Sequence, residues 1–171
     1  MRNTSVQTLL ASGLRILTAF SFLAPLMTRL VFGHAFYLTG RGKWMNFDNT
    51  VNFFSQLGIP FPDANAAFIA SLEMIGGLLL IVGLGTRLVS GLLAATMVVA
   101  LLTADRQGFV EALGSDLTGI TPVVYLLALV WLVLYGAGRL SLDTILGRKI
   151  FQAQEKRMPP GNNHPLGVHS T

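Results

Sequence analysis

Residues 64–84 read ANAAFIASLEMIGGLLLIVGL, a run long enough to cross about 30 Å of hydrocarbon at 1.5 Å per residue. Past its first turn the polar interruptions are Ser71 and Glu73. The connection Gly85-Thr86-Arg87 then turns the chain back into a second apolar run, 88–104. Two spans joined this tightly form an antiparallel hairpin. A further run on each side completes the pattern. Residues 22–40 carry Pro25, Arg29 and His34, a polar load that needs protein or water on one side, and residues 120–137 carry Tyr125, Trp131 and Tyr135 as interface anchors. The expected fold is an all-α integral membrane protein, a four-transmembrane-helix bundle over 22–138.

The rest of the chain reads as flanking interfacial helices and a tail. Residues 1–21 place Val6, Leu9, Leu10, Leu14 and Leu17 at helical spacing, the pattern of a short helix lying on the membrane. No small-x-small site closes its apolar run, which disfavours a cleaved signal peptide. Between the first two spans, NTVNFFSQLG (49–58) is a short amphipathic helix ended by Gly58 and Pro60, with Phe53, Phe54 and Leu57 expected against the bilayer. Ser141 is the expected N-cap of a cytoplasmic amphipathic helix within 139–157, and 158–171 has the composition of a disordered tail.

The composition agrees. Of the 171 residues, 52% are hydrophobic and 12% charged, with mean hydropathy +0.60, whereas soluble domains carry about 25% charged residues. The absence of cysteine excludes disulfides, thiolate metal sites and thiol exchange within the chain. The net charge of +4 is explained by topology, without nucleic acid as a partner. Arg2, Arg15, Arg87, Arg139, Arg148, Lys149, Lys156 and Arg157 fall on the side of the termini with Asp143 and Glu155. Arg41, Lys43 and Arg106 fall opposite with five acidic residues, so the positive-inside rule puts both termini in the cytoplasm.

Two charges, Arg29 and Glu73, remain inside the spans. A carboxylate near the bilayer centre costs roughly 3 kcal/mol on insertion scales, so Glu73 needs a partner. With spans at 22–40 and 64–84, Arg29 and Glu73 lie within about 6 Å of one level, and Arg29 is the expected counter-ion. It shares a face with Gly33, Phe36, Gly40 and Lys43, and Glu73 shares one with Ala66, Ala70, Gly77 and Leu80. Gly91 and Ala95 suggest a third close-packing stripe. His34 is about 140° around the helix from Arg29 and reads as a helix–helix hydrogen bonder. Two readings stay open: a structural pair that fixes helix register, or a site where Glu73 handles protons or binds a polar headgroup such as a quinone carbonyl. The candidates are Glu73 and Arg29 for catalysis, and Arg29, His34, Lys43 and Glu73 for substrate binding.

The strings TRLVFGHAFYLTGRGKW (28–44) and FFSQLGIPFPDANAAFIASLEMIGGLLLIVGLGTRL (53–88), followed more loosely by GAGRLSLDTIL (136–146), resemble the DoxX family of small bacterial four-helix membrane proteins. The most specific part is Glu73-x-x-Gly76-Gly77 followed by Gly83 and Arg87. The resemblance implies a plasma-membrane (inner-membrane) protein associated with redox enzymes, some of them quinone-linked. The chain carries no haem ligand pair, nucleotide motif or metal cluster in its sequence. The expected function is therefore a membrane subunit that anchors or assists a partner oxidoreductase, with a quinone as the candidate ligand. The alternative is a non-enzymatic assembly subunit of a larger membrane complex. Expected partners are the lipid bilayer and either protein subunits or further copies of the chain.

Overall fold

The computed structural model describes residue 18, residues 20–138 and residues 140–145. Nearly all of the expected helix over 1–21, most of that over 139–157 and the whole tail, with His164 and His169, lie outside the described residues. Among those described there is no strand. The helices are α1 (Leu23–Met45), α2 (Phe47–Gln56), α3 (Pro62–Val82), α4 (Thr86–Leu102), α5 (Arg106–Ala112) and α6 (Thr121–Tyr135), with a 3-10 turn over Leu117–Gly119.

Local signals set several of these ends. Pro62, at the first position of α3, brings its fixed φ and needs no amide donor there. At the other end Gly83 (φ 72) donates its amide to the Leu79 and Leu80 carbonyls, and Leu84 donates to Leu79, a Schellman-type stop. Gly85 (φ 61) then starts α4. Two glycines in left-handed conformation thus make a turn that side chains with a Cβ would strain. The acidic stretch 105–116, between the expected spans 88–104 and 120–137, contains α5, which leaves α4 at a bend of 85°. Beyond it, Asp116 accepts from the Thr118 hydroxyl (2.6 Å) and the Thr118 amide (2.8 Å), and these bonds hold its carboxyl below the usual range.

Helix α1 packs along α3, α4 along α6, and the two pairs join through α3–α4 and α1–α6. Neighbours run antiparallel. In the α1–α3 pair a Cβ on Gly33 would come within 2.8 Å of the Gly77 carbonyl, and one on Gly40 within 2.7 Å of the Ala70 carbonyl, so the backbones touch. The two stripes predicted from periodicity are this interface: Arg29, Gly33, Phe36 and Gly40 are buried on α1, and Ala66, Ala70, Glu73, Gly77 and Leu80 on α3. The third stripe is not. Gly91 and Ala95 face outward, and α4 buries Val89, Ser90, Leu93 and Thr96 instead. Tyr125 on α6 meets Phe32 and Phe36 edge-on and closes the α1–α6 contact.

Polarity runs inside out. Arg29, Glu73, Thr86, Ser90 and Thr96 are buried, while Val31, Leu38, Phe68, Ile75, Leu88, Leu102, Leu127 and Leu134, spread over α1, α3, α4 and α6, are exposed. Among the described residues, by length and composition α3 alone qualifies as a span by itself, with hydropathy 1.9; α4 and α5 qualify together despite their bend, and α6 is apolar but short. Helix α1 is long enough, but Arg29 and His34 lower its hydropathy, and of these two Arg29 faces the interior.

Candidate functional site

Glu73 and Arg29 do not meet. The structure corrects that expectation and separates the two charges into different surroundings. Glu73 is 3% exposed, and its Oε2 is bonded to Lys43 Nζ. The reason is axial register. Helix α1 continues to Met45, five residues past the expected end of its span at Gly40, so Lys43 stays on the helix, on the stripe that faces α3. Contacts between Gly33 and Gly77 and between Gly40 and Ala70 set an antiparallel alignment that puts Arg29 beside Leu80 and Ile81. That is two turns, about 10 Å, from Glu73.

At its own level Arg29 is 2% exposed and binds carbonyls alone. Its Nε donates to Leu80 (2.9 Å) and its Nη2 to Ile81 (3.1 Å), carbonyls in the last turn of α3. Its Nη1 donates to Ala137 (2.5 Å) and Leu140 (3.0 Å), just past α6. The end of a helix leaves up to four carbonyls without partners and carries roughly half a negative charge. The planar guanidinium fork satisfies both needs at once. Arg29 is therefore a clamp between the end of α3 and the segment after α6.

Asp143 completes the clamp from the opposite side. Its carboxylate accepts from the Gly85 amide (2.7 Å) and the Thr86 amide (2.9 Å) at the start of α4, and its own amide donates to Gly83 (3.0 Å). Ser141, the expected N-cap, accepts from the Thr144 amide (3.2 Å) at the head of a helical turn over 142–145. Asp143→Ala is expected to cost about 1 kcal/mol, the value of a helix cap. Thermal unfolding in detergent would show it as a modest drop in Tm with the helix content unchanged.

Lys43 and Glu73 line a cavity of about 180 Å³ at the other end of α1. Its remaining walls come from α2 and the residues after it (Phe53, Phe54, Leu57, Ile59), from Ile69 on α3, and from Thr96, Met97, Val99 and Ala100 on α4, with Thr103 and Ala104 at the rim. Phe54, expected against the bilayer, is buried within the protein. Lys43 is less enclosed than its partner, with 28% of its side chain exposed. Thr96 donates its hydroxyl to Leu93 (2.7 Å) and Thr103 to Val99 (2.7 Å). Among the described residues nothing donates to Glu73 Oε1.

Of the predicted binding residues, Lys43 and Glu73 are thus brought together, Arg29 is used elsewhere, and His34 is exposed on the outer face of α1 beside Val31 and Leu38. The contribution of α4, above all Thr96, was not anticipated; its signal was a lone threonine one turn past Leu93 on the buried stripe. Among the described residues no group of three or more His, Asp or Glu could hold a metal ion.

A chain whose described residues form helices without strands, bury Arg29 and Glu73 and expose aliphatic side chains on every long helix, with an ion pair lining a small cavity, belongs to the helical membrane-associated proteins. Comparison with known proteins gives the family. The model of the DoxX family matches residues 24–106, which run from the second residue of α1 past the end of α4 and include Lys43 and Glu73. The chain is also 33% identical over 123 residues to "Putative oxidoreductase CatD" of Bacillus subtilis (strain 168), covering 71% of this chain and 85% of that protein. The chain belongs to the DoxX family. No solved structure matches it.

Proposed function

We propose that this DoxX-family protein crosses the bacterial plasma (inner) membrane four times as an antiparallel four-helix bundle over 22–138, with both termini cytoplasmic. There it serves as the membrane subunit of a redox complex, and its Lys43–Glu73 cavity seats a quinone-type ring headgroup. The electron chemistry belongs to a partner oxidoreductase. The observation that carries this reading is the ion pair of the buried Glu73 with Lys43 in a mostly apolar cavity of one-ring size. Lipid contact is supported by the exposed aliphatic side chains on all four long helices. It is supported again by aromatic residues at both ends: Trp44 stacked on Phe47 at one, Trp131 on Tyr135 at the other. The resemblance to a protein named as an oxidoreductase points to redox chemistry.

A second reading, a non-enzymatic assembly subunit, is favoured by the fact that Glu73 has its counter-ion within the chain. The double replacement Lys43→Met with Glu73→Met separates the two. It removes the pair without stranding a buried charge, and such exchanges are tolerated structurally. Native purification of both forms, with copurifying proteins and lipids identified, should recover the same partner from each. Quinone-analogue binding and turnover should fall at least about tenfold in the double variant. Unchanged turnover with an intact complex would favour the assembly role.

A further inference from the structure

We infer that the Lys43–Glu73 cavity selects a ring that donates hydrogen bonds, a phenolic or hydroquinone-type headgroup, over the corresponding oxidised or etherified ring. This rests on the headgroup-site reading and specifies its ligand. The basis is the set of polar groups the cavity can offer. Thr96 and Thr103 have committed their hydroxyl hydrogens to the carbonyls of Leu93 and Val99, so towards a ligand they present acceptor lone pairs. Glu73 Oε1 takes no hydrogen bond from the described residues, while Oε2 is held by Lys43. The lining side chains thus bring three acceptor oxygens and a single donor group, the Lys43 ammonium, one of whose hydrogens is already used.

A ring filling the cavity displaces the water that would otherwise solvate Glu73, and must replace its hydrogen bonds. A phenolic hydroxyl does so, donating to Glu73 Oε1 while its oxygen accepts from Lys43. A quinone carbonyl or an aryl ether can only accept, and leaves a buried carboxylate oxygen without a donor, the situation by which sites reject an analogue lacking a hydroxyl. Size agrees, since a cavity of about 150 Å³ is known to admit benzene and this one is about 180 Å³.

The test compares two redox-inert probes, 4-fluorophenol and 4-fluoroanisole, titrated by 19F NMR into the full chain in nanodiscs, with empty nanodiscs as the partition control. The phenol should bind at least about tenfold more tightly than the ether, the worth of one hydrogen bond to a charged group. Glu73→Gln should bring the ratio close to one, whereas Thr96→Val, nearly isosteric and remote from that bond, should leave it nearly unchanged. Equal or reversed affinities in the unmodified protein would overturn the inference and leave the headgroup site standing. A phenol preference that Glu73→Gln retains in full would overturn the assignment to Glu73. If neither probe binds beyond the empty-nanodisc control, the headgroup-site reading falls too.

Discussion

Replacing Arg29 by methionine should destabilise the protein by about 4 kcal/mol or more, at the upper end of what single substitutions do. The side chain donates four hydrogen bonds to carbonyls, two of them buried and two partly so. Bonds to a charged group contribute about 1.5–3 kcal/mol each, non-additively, and a buried acceptor left without its donor costs about 1–3 kcal/mol. Methionine preserves the volume and so isolates the polar loss. The expected result is a lower Tm in detergent together with protease sensitivity around residues 137–145, because the clamp holding that segment to the end of α3 is gone. Arg29→Lys should recover only part of the stability, since an ammonium is a point charge and cannot serve two helix ends with a planar fork. A methionine variant with unchanged Tm and unchanged cleavage would mean that the carbonyls find other donors.

The second large effect is expected at Gly40. A Cβ there would overlap the Met74 backbone amide and lie 2.7 Å from the Ala70 carbonyl and 2.8 Å from Met74 Cα. All three neighbours are backbone, so no rotamer change relieves the overlap and the helices must separate. Overpacking of this kind costs about 1–3 kcal/mol for modest additions. In lipid, where helix association depends on close packing, there is no apolar driving force to offset the loss. Gly40→Val should therefore exceed that range. Because Lys43 follows one turn later on the same stripe, the separation should also draw its ammonium from Glu73 and weaken ligand binding along with stability. Gly91→Val is the matched control: that position faces outward with nothing within 4 Å of a Cβ. A loss of stability that is equal at both positions would argue against backbone contact as the cause.

Arg29 and Gly40 both lie on stripes that were legible before the structure. The faces of α1 and α3 follow from helical periodicity, and the helical part of each face is a local property of the chain. The cap at Ser141 was likewise marked by residue type, because it depends on a few neighbouring dihedrals and hydrogen bonds, whereas the span was read through Gly83, where the Schellman stop ends α3. The candidate site was half legible. Lys43 and Glu73 were both named, but as members of a set that also included Arg29 and His34.

The sequence by itself thus determined the helical class, the packing stripes, and that a carboxylate at Glu73 needs a cation; these follow from composition and from the 3.6-residue period. Only the tertiary structure decided which cation serves it. That choice depends on the axial alignment of α1 against α3, which is set by where two pairs of backbones touch at Gly33 and Gly40, and hydrophobicity along a single helix carries no information about such an offset. The same alignment brings Arg29 to the carbonyl end of α3, where carbonyls take the guanidinium's hydrogen bonds and Asp143 supplies the nearby negative charge, and Thr96 of α4 lines the same cavity as Lys43.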